Sequence, residues 1–190
     1  MATHYGWCVS ATRGRFAKNS FCWRRATCHP CGMPAEATKP LLLLDVDGVL
    51  NPLSNRPPPG FRTEWIDGFE VAFTVRHARW LTELADSFEL VWATTWEDSA
   101  NESIGPLLRL PPLPVIHFSK ERVGDTWKLN DVRTFVGDRP CVWIDDELFA
   151  DAFKWADDRP APTLAIRPAA TVGMTVTHFE QVCEFRDRYY

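Results

Sequence analysis

Apolar residues in this chain fall in short runs that end in polar ones. Four consecutive leucines, Leu41 to Leu44, lead into Asp45-Val46-Asp47-Gly48. A short continuous apolar run closed by a turn signal predicts a strand buried on both faces, as in a parallel sheet. Leu90-Val91-Trp92-Ala93 leads in the same way into Thr94-Thr95, and Val142-Trp143-Ile144 into Asp145-Asp146-Glu147. Strands are expected over residues 41–44, 89–94, 115–118, 141–145 and 163–166. The spacing of Ala78, Leu81, Leu84 and Ala85 predicts a helix over 76–86. Further helices are expected over 128–136, 146–157 and 177–186. Asp98 or Ser99 is expected to cap a helix running toward residue 110, broken or kinked at Gly105-Pro106. Five strands alternating with helices indicate an α/β fold: a Rossmann-like parallel five-stranded sheet with helices on both faces.

Two segments depart from this alternation. Residues 51–60 hold Pro52, Pro57, Pro58 and Pro59, a loop that can be neither regular helix nor central strand. Apolar-rich stretches at 61–66 and 69–75 flank Asp67-Gly68, a strong hairpin signal. Residues 1–40 show no sustained period and end in a Pro-Ala-Glu-Ala-Thr-Lys-Pro linker. The organisation expected is a basic, cysteine-containing extension over 1–39, poorly ordered, followed by one domain over 40–190.

Charge sharpens that division. The first forty residues carry six Lys or Arg against one acid, Glu36, while the rest carries fifteen basic and twenty-four acidic residues. An acidic domain argues against a broad footprint on a nucleic-acid backbone, which requires clustered Lys and Arg. A small phosphorylated molecule or a nucleic-acid end remains compatible as substrate. Cys28-His29-Pro30-Cys31 lacks a convincing second half-site in Cys8 and Cys22, so structural zinc is not expected. Cys141 and Cys183 read as small buried hydrophobes. No apolar stretch is long enough to span a membrane and no apolar leader core is evident, so a cytoplasmic protein without membrane association or an obligate protein partner is expected.

The chemistry-bearing residues fall at the predicted strand ends, where open α/β sheets bind ligands. In order they are Asp45 and Asp47, then Thr94, then Lys128 near a helix start, then Asp145 and Asp146. This ordered set over residues 41–167 is similar to the four-motif pattern of the haloacid dehalogenase (HAD) superfamily. The stretch Trp92-Ala93-Thr94-Thr95-Trp96-Glu97, with Ala100-Asn101, resembles the HAD domain of Swiss Army Knife RNA repair proteins. What the resemblance implies is a phosphatase with a minimal cap, a hairpin flap between the first two motifs. Asp45 would be the nucleophile and form an aspartyl-phosphate. Asp47 would be general acid and then general base, a residue that members cleaving C–halogen or P–C bonds usually lack. Mg2+ would be held by Asp45, the Asp47 carbonyl and one of Asp145 or Asp146, with Asp146 preferred. Thr94, with Thr95 as rival, would donate to a phosphoryl oxygen, and Lys128, with Lys120 as rival, would offset charge. Gly48, Thr95 and Trp96 are candidate substrate contacts. Trp65, Trp96 and Trp127 could stack a base or sugar, or simply pack the core; His77 and His117 read as structural or solvated. Asp146 could also cap the following helix. The alternative function is a catalytically silent HAD-fold module that binds a phospho-ligand or RNA.

Overall fold

Each leucine of the first strand, β1 (Leu41–Leu44), is fully buried in the computed structural model, which describes residues 38–66 and 68–190. Cys8, Cys22, Cys28 and Cys31, nearly all of the expected N-terminal extension, and Asp67 lie outside the described residues. β1 is buried because it is central. It pairs in parallel with β4 (Glu89–Trp92) on one side and β5 (Cys141–Ile144) on the other, and β6 (Thr163–Ile166) completes the order β4-β1-β5-β6.

Side chains alternate across such a sheet, and both faces are covered. Leu42, Leu44, Leu90, Trp92, Val142 and Ile144 belong to one core, with Leu81 and Leu84 of α1 (Val75–Ala85) and Val182 and Phe185 of α5 (Val176–Tyr189). Leu41, Leu43, Val91, Cys141 and Trp143 belong to the other. There they pack with Val132 and Val136 of α3 (Leu129–Val136) and Ala152 of α4 (Ala150–Asp158). The unbroken leucine run thus reflects helices on both faces, as in other parallel sheets. Between β1 and α1 stands an antiparallel hairpin, β2 (Arg62–Ile66) with β3 (Phe69–Phe73). No helix among the described residues is long and apolar enough to cross a membrane.

Three expectations need correction. The sheet has four parallel strands, because residues 115–118 make only a single parallel bridge, Trp92 to Val115. Trp92 N–H donates to the Pro114 carbonyl and its own carbonyl accepts from Ile116 N–H, both at 2.9 Å, but amides further on go to side chains. Phe118 N–H donates to Glu97 Oε1 and Ser119 N–H to Asp131 Oδ2, both at 3.0 Å, so the ladder cannot extend. The helix expected from residue 98 is instead a π-helical turn, Ala100–Ile104, followed by the short α2 (Gly105–Leu108), with no side-chain cap from Ser99. Pro106 has no N–H to give and crowds the turn before it, and a π-bulge accommodates that. Finally, α4 begins at Ala150 rather than residue 146, with Phe149 at its N-cap, so Asp146 does not cap it. Asp145 Oδ1 accepts from Glu147 N–H at 2.8 Å, and this local side-chain bond turns the chain before it can enter the helix.

Cys141 is buried as expected, but Cys183 is only partly so. His77 is structural: it is buried, with its ring Nε2 2.8 Å from the Met174 carbonyl. His117 is exposed and bonds Asp98 at 3.0 Å.

Candidate active site

Register alone brings the first two carboxylates together. Leu44 lies opposite both Trp92 and Ile144, so Asp45, Ala93 and Asp145 leave the sheet at one level. Adjacent strands lie only about 5 Å apart. The ladder continues one step past the strands: Asp45 N–H donates to the Ile144 carbonyl at 3.1 Å and Ala93 N–H to the Leu44 carbonyl at 2.8 Å. Asp45 and Asp145 are therefore held side by side on rigid backbone, and both are buried.

Lys128 supplies the countercharge. It is 2% exposed, and its Nζ donates to Asp145 Oδ2 at 2.8 Å and to Asp45 Oδ2. Burial alone would lower its pKa, but Asp45 and Asp145 outweigh that and hold the ammonium firmly protonated. The loop before α3 is latched to the start of α4, which fixes the lysine. Asp151 accepts from the Thr126 hydroxyl at 2.6 Å and its amide at 3.0 Å, and Thr126 Oγ1 accepts from Phe149 N–H at 2.8 Å. Lys120, the rival lysine, is exposed, and no ion pair ties it to the carboxylates. Of the two threonines, Thr94 is buried and its hydroxyl bonds Asp45, whereas Thr95 is exposed.

One lysine does not balance the local charge. Burial pushes the Asp45 carboxyl up to about 7; Lys128 opposes the rise and Asp145 adds to it. Asp146 is also raised, by burial and then by Asp145. One carboxylate oxygen from each of Asp45, Asp145 and Asp146 lies within 4.8 Å of the others. Three converging carboxylates around an excess of negative charge fit a hard divalent cation, which prefers oxygen ligands.

Gly48 makes the approach of Asp146 possible. It has φ +72°, and a Cβ there would sit 2.2 Å from Asp146 Cγ. Gly48→Ala is expected to destabilise the domain by roughly 2 kcal/mol or more through positive φ and steric overlap. It should also weaken cation binding by pushing Asp146 aside. Thermal melting and Mg2+ titration of the variant check both effects.

Asp47 is clamped by two donors. Trp96 Nε1 donates to Oδ2 at 2.9 Å and Asn51 Nδ2 to Oδ1 at 2.7 Å. The Asn51 amide is oriented in turn by Ala72 of the hairpin, whose N–H donates to Oδ1 at 2.8 Å. Phe69, also in β3, meets the Trp96 ring edge-on with centroids 6.1 Å apart. Asp47 is thus tied to the hairpin by two routes.

A family model, the HAD domain in Swiss Army Knife RNA repair proteins, matches residues 41–179, from the first residue of β1 into α5. The chain belongs to that family. Comparison with curated proteins and with solved structures found no match. The HAD assignment agrees with the parallel sheet flanked by helices and with a phosphohydrolase-type fold.

In this HAD domain the residues singled out from sequence fall into two groups. Asp45, Asp47, Gly48, Thr94, Lys128, Asp145 and Asp146 converge at the carboxyl end of the sheet, and Trp96 reaches Asp47. Thr95 lies at the rim, lining cavities on either side. Trp65 is 76% exposed, and Trp127 stands at the edge with Nε1 donating to Glu147 Oε2 at 3.2 Å. Sequence reasoning missed Asn51, Thr126 and Asp151. Asn51, four residues beyond Asp47 in the same loop, is the one that proximity could have suggested.

Proposed function

We propose that this HAD domain is a Mg2+-dependent phosphomonoesterase working through an aspartyl-phosphate on Asp45, with a nucleotide or nucleic-acid end as substrate. The observation that carries the reading is the convergence of Asp45, Asp145 and Asp146 around buried Lys128, with Asp47 held two residues beyond Asp45. Asp45, the Asp47 carbonyl and Asp146 would hold the Mg2+. Asp145 has Lys128 on one oxygen and the Glu147 amide on the other, which suits it to orient the lysine. When bound, Mg2+ would supply positive charge to the phosphoryl oxygens and to the crowded carboxylates.

The rest falls to side chains of the domain. A carboxylate oxygen of Asp45 attacks phosphorus in line as the bond to the ester oxygen breaks, and Asp47 delivers the proton to that leaving oxygen. Water then attacks phosphorus, Asp47 takes up its proton, and the Asp45–phosphorus bond breaks to release inorganic phosphate. Lys128 and Thr94 steady Asp45 and meet charge on the transferring group. The β2–β3 hairpin serves as a small flap, leaving a site open enough for a large leaving group.

Phosphate release from nucleotides and from 5′- and 3′-phosphorylated oligonucleotides tests the reading. Turnover with Mg2+ that EDTA removes is expected. A folded protein that binds Mg2+ and turns over none of these substrates would favour a silent phospho-ligand module instead.

A further inference from the structure

We infer that the cavity between Phe69 and Trp96 is a leaving-group pocket for a nucleoside, with Phe69 as its specificity-determining wall. The inference rests on the phosphatase reading and adds the substrate's neutral half. The cavity is about 420 Å3, lined by Asp47, Phe69, Thr95, Trp96 and Ser99. Its position assigns its use. Asp47 is the group that protonates the leaving oxygen, so whatever hangs from that oxygen lies on the Asp47 side.

The walls describe the occupant. The Phe69 and Trp96 rings meet at 69°, forming a corner in which a flat ring can lie on one face and meet the edge of the other. Phe69 is 65% exposed, an aromatic ring presented to solvent at the mouth of a reactive site. Thr95 and Ser99 add hydroxyls, and Asp47 is the single charged side chain among the lining residues. Such a lining fits an uncharged, planar, partly polar group, the description of a base with its ribose. It does not fit a small alcohol whose own phosphate or carboxylate would have to enter the pocket beside Asp47. Basic side chains, Lys120 and Arg122, line the neighbouring cavity across Thr95, together with Glu97. A built-in comparison comes from the hairpin itself. Trp65 pairs with Glu70, which puts it on the face opposite Phe69, away from the pocket.

The test compares kcat/KM for adenosine 3′- and 5′-monophosphate with that for glycerol 2-phosphate, in wild type, Phe69→Ala and Trp65→Ala. Wild type should prefer a nucleotide. Phe69→Ala should cut that preference on the order of tenfold, the scale of one lost base–aromatic stack, and Trp65→Ala should leave it intact. Equal use of nucleotide and glycerol ester by wild type, or a preference that survives Phe69→Ala, would overturn the pocket while leaving the phosphatase reading standing. Absence of all turnover would instead remove the phosphatase reading. Calorimetry with adenosine, which carries no phosphate, then decides the pocket alone: binding weakened by Phe69→Ala supports it, and no binding overturns it.

Discussion

Asp45→Asn abolishes phosphate release, by about 10⁴-fold or more, and leaves the metal-free protein as stable as the wild type or more so. The first effect follows from removing the proposed nucleophile, since losing one member of a covalent catalytic set eliminates most of the rate. The second follows from the cost of the native charge. Burial and Asp145 together outweigh the help Lys128 gives, which is why the Asp45 carboxyl is raised to about 7. A raised carboxyl pKa means the folded state binds the proton more tightly than the unfolded state does. Stability from this group is therefore present at low pH and lost as pH rises from the ordinary carboxyl range, about 4, through about 7. Asparagine carries no charge to bury, so its advantage in melting temperature should be largest above pH 7 and fade toward pH 4. An activity loss accompanied by a large fall in stability would instead mean that Asp45 is a structural residue.

Lys128→Met has the opposite signature, losing both activity and stability. Methionine fills much of the space but leaves Asp45 and Asp145 buried without their cation. Breaking a buried ion pair from one side costs about 3–5 kcal/mol, and here one lysine serves two carboxylates at once. Added Mg2+ should recover part of the melting temperature, because the orphaned carboxylates belong to the same cluster as Asp146. It should not recover turnover. Lys120→Met, at an exposed position, should shift stability by less than about 0.5 kcal/mol. Denaturant melts of the two variants with and without Mg2+ separate the two lysines cleanly.

How much of this was legible depends on the range of the forces involved. β1 could be read because burial on both faces leaves an unbroken apolar run, and Asp45 and Asp145 because each ends such a run. The 115–118 segment has the same look, but its strand potential is spent on Glu97 and Asp131, residues whose approach no local pattern encodes. The late start of α4 depends on one bond from Asp145 to the Glu147 amide. Gly48 announces a turn, but that its missing side chain makes room for Asp146 emerges only when two strand ends are adjacent. Asp151 lay beyond reach for a similar reason: its partner Thr126 is 25 residues away. Trp96 was legible as an aromatic near the site, though not as a hydrogen-bond donor to Asp47. Residues that act through a partner are hidden until the partner is placed.

The proposed mechanism requires that phosphorus become bonded to Asp45 during turnover. A substrate labelled with ³²P at its phosphoryl group, mixed with the domain and Mg2+, quenched in acid within the first turnover and digested, tests it most directly. Label should be found in the peptide containing Asp45 and be absent from the same peptide of Asp45→Asn. Turnover that leaves no label on protein, or label on a peptide that lacks Asp45, would contradict the account.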